Sequence, residues 1–190
     1  MEDAAEAKLA DALTCALRRH GFSRMATTPA PAHVTVTAAW RRRTWNTNRA
    51  VVLLPVPYDP ADRGDVPDPA QVPTGEALGY FPLYYELGNF CQAAKLRVGK
   101  AIGYVPFFYG LGLQLVLTGQ CILDRARGLE RFVDRIDNQQ VVLQSIHVVD
   151  LAARQSVSVR TWGQVITGRF QDAVEEAIRT AGFSADPRHE

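Results

Sequence analysis

Val141 to Val149 is apolar on both of its alternating faces, breaks at Asp150-Leu151-Ala152-Ala153-Arg154, and resumes as an alternating segment from Ser156 to Trp162. Strand side chains point to opposite faces in turn, so the first run reads as a strand covered on both sides. The second reads as its half-buried partner in a β-hairpin. A doubly buried strand needs other elements layered over its sheet, and the rest of the chain can be read as a search for them.

Helices supply the cover. Leu9, Leu13, Ala16 and Leu17 recur at helical spacing, and Gly21-Phe22 supplies a left-handed stop with a hydrophobic contact. At the other end Ile166, Phe170, Val174, Ala177, Ile178 and Ala181 share one helical face that closes at Gly182-Phe183. The two endings, Ala-Leu-Arg-Arg-His-Gly-Phe and Ala-Ile-Arg-Thr-Ala-Gly-Phe, echo each other. Because both satisfy the same helix-stop chemistry, the echo is read as convergent capping rather than duplication.

Between these helices, His33 to Trp40 alternates and predicts a half-buried strand, while Ala50 to Pro55 is a short continuous apolar run. The two are expected to pair as a hairpin, with the polar run Arg41 to Arg49 at its tip. Pro55 to Pro73 holds six prolines, four aspartates and one arginine, which predicts a mobile acidic loop over about residues 57–74. Thr74 to Lys100 is expected to be helical in part, with Leu83, Leu87, Phe90 and Ala94 on one stripe and Gly79, Pro82, Gly88 and Gly99 weakening it. Leu111 to Thr118 reads as a core strand whose Gly110 and Gly112 suggest a bend or a close backbone approach. Leu129 to Ile136 reads as a short helical turn. Hairpins without regular helical crossovers then predict one α+β domain over residues 1–190. Its expected architecture is a mainly antiparallel sheet of about five strands with N-terminal, middle and C-terminal helices packed on it.

Composition narrows the functional classes. In 190 residues, 47% apolar and 22% charged is the balance of a folding chain, and a net charge of +1 predicts no long-range attraction to nucleic acid or anionic lipid. Cys15, Cys91 and Cys121 are odd in number and far apart, with apolar neighbours, which predicts buried free thiols in a reducing compartment. The acidic N-terminus fits neither a secretory signal nor a transit peptide, so a cytoplasmic protein is expected. Ala101 to Leu123 lacks charge, but Pro106, four glycines, Gln114 and Gln120 interrupt it, and no transmembrane span is expected.

Two constellations stand out. Arg41, Arg42, Arg43, Trp45 and Arg49 place guanidiniums and an aromatic together, the chemistry that neutralises phosphates and stacks on bases. The structural alternative is a solvated hairpin whose arginines pair with the Asp59 to Asp68 loop. Tyr80, Tyr84, Tyr85, Phe107, Phe108 and Tyr109, beside the basic Lys95, Arg97 and Lys100, crowd aromatics into one segment, as partner-binding surfaces do.

Catalytic signals are weaker. Glu86, Asp124, Asp134, Asp137 and Asp150 are the carboxylates a metal-dependent phosphodiesterase would draw on, yet Asp134 and Asp137 flank a helix end and Asp150 heads a turn. His147, near Ser145 on the buried strand, is the one histidine worth testing as a base, and a satisfied core histidine is the commoner outcome. No phosphate-loop, dinucleotide, nucleophile-elbow or Cys-x-x-Cys motif occurs. The leading expectation is a non-catalytic interaction or regulatory domain that binds a protein partner, and itself, through the aromatic segment 80–109, with no cofactor and no metal. A nucleic-acid-binding module using the arginine hairpin is the alternative, and a metal-dependent phosphodiesterase is third.

Overall fold

A computed structural model describes residues 2–29, 34–44, 48–56, 87–103, 111–123, 126, 129, 141–160 and 164–186. The elements run α1 (Glu2–Arg19), β1 (Ser23–Arg24), β2 (Ala38–Arg43), β3 (Asn48–Pro55), α2 (Leu87–Ile102), β4 (Leu111–Gly119), β5 (Val141–Asp150), β6 (Gln155–Arg160), α3 (Gln164–Thr180) and β7 (Ser184–Ala185). All seven strands form one sheet in chain order. Pairs β1–β2, β2–β3 and β5–β6 are antiparallel, whereas β3–β4, β4–β5 and β6–β7 are parallel.

The α+β class holds, and so do helices in the N-terminal, middle and C-terminal parts of the chain. The sheet is mixed, however, not mainly antiparallel, and it has seven strands in place of about five. Parallel neighbours need a crossover, and α2 lies between β3 and β4 in the chain. The glycines that weaken the helical pattern before Lys100 do not prevent it. Gly99 lets α2 approach the sheet, since a Cβ there would sit 2.7 Å from Cγ2 of Val141. The two additional strands, β1 and β7, have two residues each, too few to show a period.

Alternation divides the core into two layers. Ala50, Val52 and Leu54 of β3, with Leu111, Leu113, Leu115 and Leu117 of β4, pack with α2. Val51 and Leu53 of β3, Val116 of β4 and Val149 of β5 lie in the second cluster, with Leu9, Leu13 and Leu17 of α1 and Val174, Ala177 and Ile178 of α3. α2 therefore covers one face and the α1–α3 pair the other. Every residue from Leu111 to Thr118 is buried, as expected of a strand enclosed between layers.

Helices α1 and α3 end alike. Gly21 donates to the Arg18 carbonyl at 3.0 Å and Phe22 to that of Leu17 at 3.1 Å; Gly182 donates to Arg179 at 2.9 Å and Phe183 to Ile178 at 3.2 Å. With φ of 77° at Gly21 and 96° at Gly182, both are glycine-terminated Schellman turns, and each buries its phenylalanine. Each turn then delivers a two-residue strand, β1 to one border of the sheet and β7 to the other.

The first hairpin forms as expected, with Ala38 opposite Leu53 and Arg43 opposite Asn48. Its first strand is displaced. It begins at Ala38 instead of His33 and carries Arg41, Arg42 and Arg43 within it, not at its tip. Trp40 anchors this strand: it is buried, and its Nε1 donates to Thr14 Oγ1 of α1 at 3.1 Å. The acidic loop expected at 57–74 and the turn expected after Leu129 lie outside the described residues. No described helix is long and apolar enough to cross a membrane.

Candidate interaction site

The arginine run is put to structural use. Successive residues of β2 face opposite layers, so Arg41 turns toward α2 and Arg42 toward α1 and α3. Arg41 donates from Nη1 to the carbonyl of Ile102, the last residue of α2, at 3.2 Å and from Nε to Asn48 Oδ1 at 3.1 Å. A cation at the carbonyl end of a helix is favourable. Arg42 and Arg49 are cross-strand partners, and their guanidinium carbons lie 5.0 and 4.5 Å from the ring centroid of Phe170 in α3. Phe170 also packs edge-on against His20 and Phe22 at the end of α1.

Burial, and then the charge of Arg43, holds the Arg41 guanidinium below its ordinary range; burial, and then Arg42, does the same for Arg49. Arg41, Arg42 and Arg49 are partly buried against the fold, and among the described arginines of the run Arg43 is the exposed one. Trp45 and the acidic loop lie outside the described residues.

Tyr80, Tyr84, Tyr85, Phe107, Phe108 and Tyr109 lie outside the described residues, as do Glu86, Asp124, Asp134 and Asp137. Lys95, grouped by sequence with Arg97 and Lys100 as one basic surface, is buried, while Lys100 is exposed. Asp150 accepts from the backbone N–H groups of Ile122 at 3.0 Å, Ala152 at 3.0 Å and Ala153 at 2.9 Å, which fixes the β5–β6 turn. Among the described residues no group of three metal-ligating side chains converges.

A polar seam crosses the sheet beneath α3. Ser145 Oγ and His147 Nε2 are 3.0 Å apart, and His147 Nδ1 lies 2.8 Å from Ser158 Oγ on β6. Burial pushes the imidazole down to about 4, against an upward pull from Glu175, with Arg160 adding to the fall. His147 is thus neutral near pH 7, held by two hydroxyls. Such a base resists the protonation that general-base catalysis asks of it. Nearby, the β4–β5 register slips after Leu113, with Gln144 as the extra residue. The Gln144 carbonyl accepts from Nε2 of Gln171 in α3 at 3.0 Å.

The seam opens at the outer edge of β6. Among the described residues β7 pairs with β6 at Gln155 and Ser156, with the Asp186 backbone N–H donating to the Ser156 carbonyl at 2.9 Å. Because the backbone groups of Ser156 turn outward, alternation turns those of Ser158 and Arg160 outward too. Among the described residues nothing continues the ladder past β7. Beside this open edge lies a cleft of about 270 Å³ lined by Ser156, Val157, Ser158 and Arg160 of β6, Glu175, Ile178 and Arg179 of α3, and Ala185 and Asp186.

Arg160 donates from Nε to Glu175 Oε1 at 2.7 Å and from Nη2 to the other oxygen, with its Nη1 3.1 Å from Asp172 Oδ1. The hydrogen bonding by Glu175, with smaller help from Asp172, holds the Arg160 guanidinium above its ordinary range despite some burial. Arg179 is exposed and makes no ion pair among the described residues. Sequence reasoning missed this site. Its signal was a polar face on β6 (Ser156, Ser158, Arg160) matched by charges beside the apolar stripe of α3.

No protein-family model, curated protein or solved structure matches the chain.

Proposed function

We propose that the chain is a non-catalytic interaction domain that takes up a protein partner as an added strand along the outer edge of β6. The observation that carries this reading is the incomplete cover of that edge among the described residues: β7 occupies two residues of β6, and the outward N–H and C=O groups of Ser158 and Arg160 adjoin a cleft. An uncovered edge is a template for another strand, with main-chain bonds giving affinity and side-chain pockets giving selectivity. Among the described candidates His147, Asp150, Arg41, Arg42 and Arg49 make contacts within the fold, whereas the outward backbone groups of Ser158 and Arg160 have no described strand partner.

The test is to select linear peptides from a displayed random library against the purified chain and titrate the winners calorimetrically. Synthetic versions N-methylated at alternate amides are then compared. Strand addition requires that one methylated set loses binding and the other retains it, because only every second amide faces β6. Selection of no peptide, or equal binding by both sets, overturns the reading.

A further inference from the structure

We infer that α3 is a hinged element: its first turns, Gln164 to Gln171, open off the sheet as a unit while the rest of the helix stays docked. Its two ends are held differently. Beyond Gln171, Val174, Ala177, Ile178 and Ala181 lie in the apolar cluster that contains Leu9, Leu13 and Leu17 of α1. Arg160 adds a hold on Asp172 and Glu175. At Gln171 the contact with the sheet is polar, Nε2 donating to the Gln144 carbonyl at 3.0 Å. Phe170 beside it meets the rings of His20 and Phe22 and the guanidiniums of Arg42 and Arg49. The turns leading there include Val165-Ile166-Thr167-Gly168, three β-branched residues and a glycine, all poor helix formers.

The sheet beneath this end supplies the drive. Gly112 and Gln114 fall on the same face of β4 as Val116, the face that α1 and α3 cover. A Cβ at Gly112 would sit 2.5 Å from Nε2 of Gln144, so that amide lies over the glycine, next to Gln114 along the strand. The side-chain oxygens of Gln114 and Gln144 are buried, and neither accepts a hydrogen bond. In the closed state both go unmet, and opening lets water reach them. Each oxygen relieved favours the open state by about 5- to 150-fold. The opened end also withdraws Phe170 from Arg42 and Arg49, so the hinge controls access to the cationic side of the first hairpin.

Hydrogen exchange of the native chain, Gln114→Met and Gln144→Met, read amide by amide by NMR, tests this. Each helical amide bonds to the carbonyl four residues earlier, so opening frees the amides of residues 168–175. In the native chain these should exchange at least about 100-fold faster than those of residues 177–181, at a rate nearly independent of urea, as local opening requires. Methionine keeps the length of glutamine without its oxygen, so each variant should slow exchange at residues 168–175 by about fivefold or more. Melting temperatures verify that the variants fold, and the native pattern is read without any variant. Equal protection along α3 overturns the inference. So do rates at residues 168–175 that neither variant slows, because ordinary fraying of a helix end uncovers neither glutamine.

Discussion

Acidification should destabilise this fold through His147 well before its carboxylates are protonated. The imidazole titrates at about 4 in the folded chain against 6.5 when exposed. A depressed histidine means that the unfolded chain binds the proton first, so stability is complete above 6.5 and is lost as pH falls toward 4. Linkage over that interval gives a loss of about 2 kcal/mol between pH 8 and pH 5, and about 3 kcal/mol once pH is below 4. Glu175 and Arg160 are the charged groups that act on the imidazole. The assay is urea unfolding, followed by far-ultraviolet dichroism, at half-unit steps from pH 8 to pH 5 for the native chain and His147→Gln. The variant is expected to be less stable at pH 8, since its amide cannot bridge Ser145 and Ser158, but with a flatter pH profile. All other titrating groups are common to both proteins, so the difference in slope isolates the imidazole. Parallel profiles would refute the reasoning.

Two further substitutions probe the packing. Gly99→Ala should destabilise by about 1–2 kcal/mol despite the better helix propensity of alanine, because its Cβ would meet Val141 Cγ2 at 2.7 Å. Urea midpoints for Gly99→Ala, Val141→Ala and the double variant should show a double penalty smaller than the sum. Phe170→Leu keeps apolar volume but removes the ring that holds Arg42 and Arg49; a loss of about 1–2 kcal/mol is expected, measured as a shift in the urea midpoint.

What could be read from the sequence was local. The stripe from Leu9 to Leu17, the face from Phe170 to Ala181 and the β5–β6 hairpin are complete within their own segments, and each appears where its periodicity places it. Gly99 shows the limit. Alone it reads as a helix weakener, and its value emerges only against Val141, which comes from another element. The arginines of β2 misled for a similar reason: three adjacent cations suggest a solvated tip, but alternation sends Arg41 to the end of α2 and Arg42 to Phe170. Gln144, an amide between Leu143 and Ser145, gives no warning that the register slips there. The cleft was invisible because Arg160 meets Glu175 and Arg179 only when α3 settles on β6.

The chain-order sheet bears on how this protein assembles. Among the described residues each strand hydrogen-bonds to the strands immediately before and after it in sequence, so the sheet can grow one strand at a time without waiting for a distant segment. The α1–α3 contact is the opposite case, joining the first helix to the last. Until α3 arrives, α1 is the one described helix on that face of the growing sheet. The closing events in assembly are then the docking of α3 on α1 and the pairing of β7 with β6, and together they bring the β6 cleft into being.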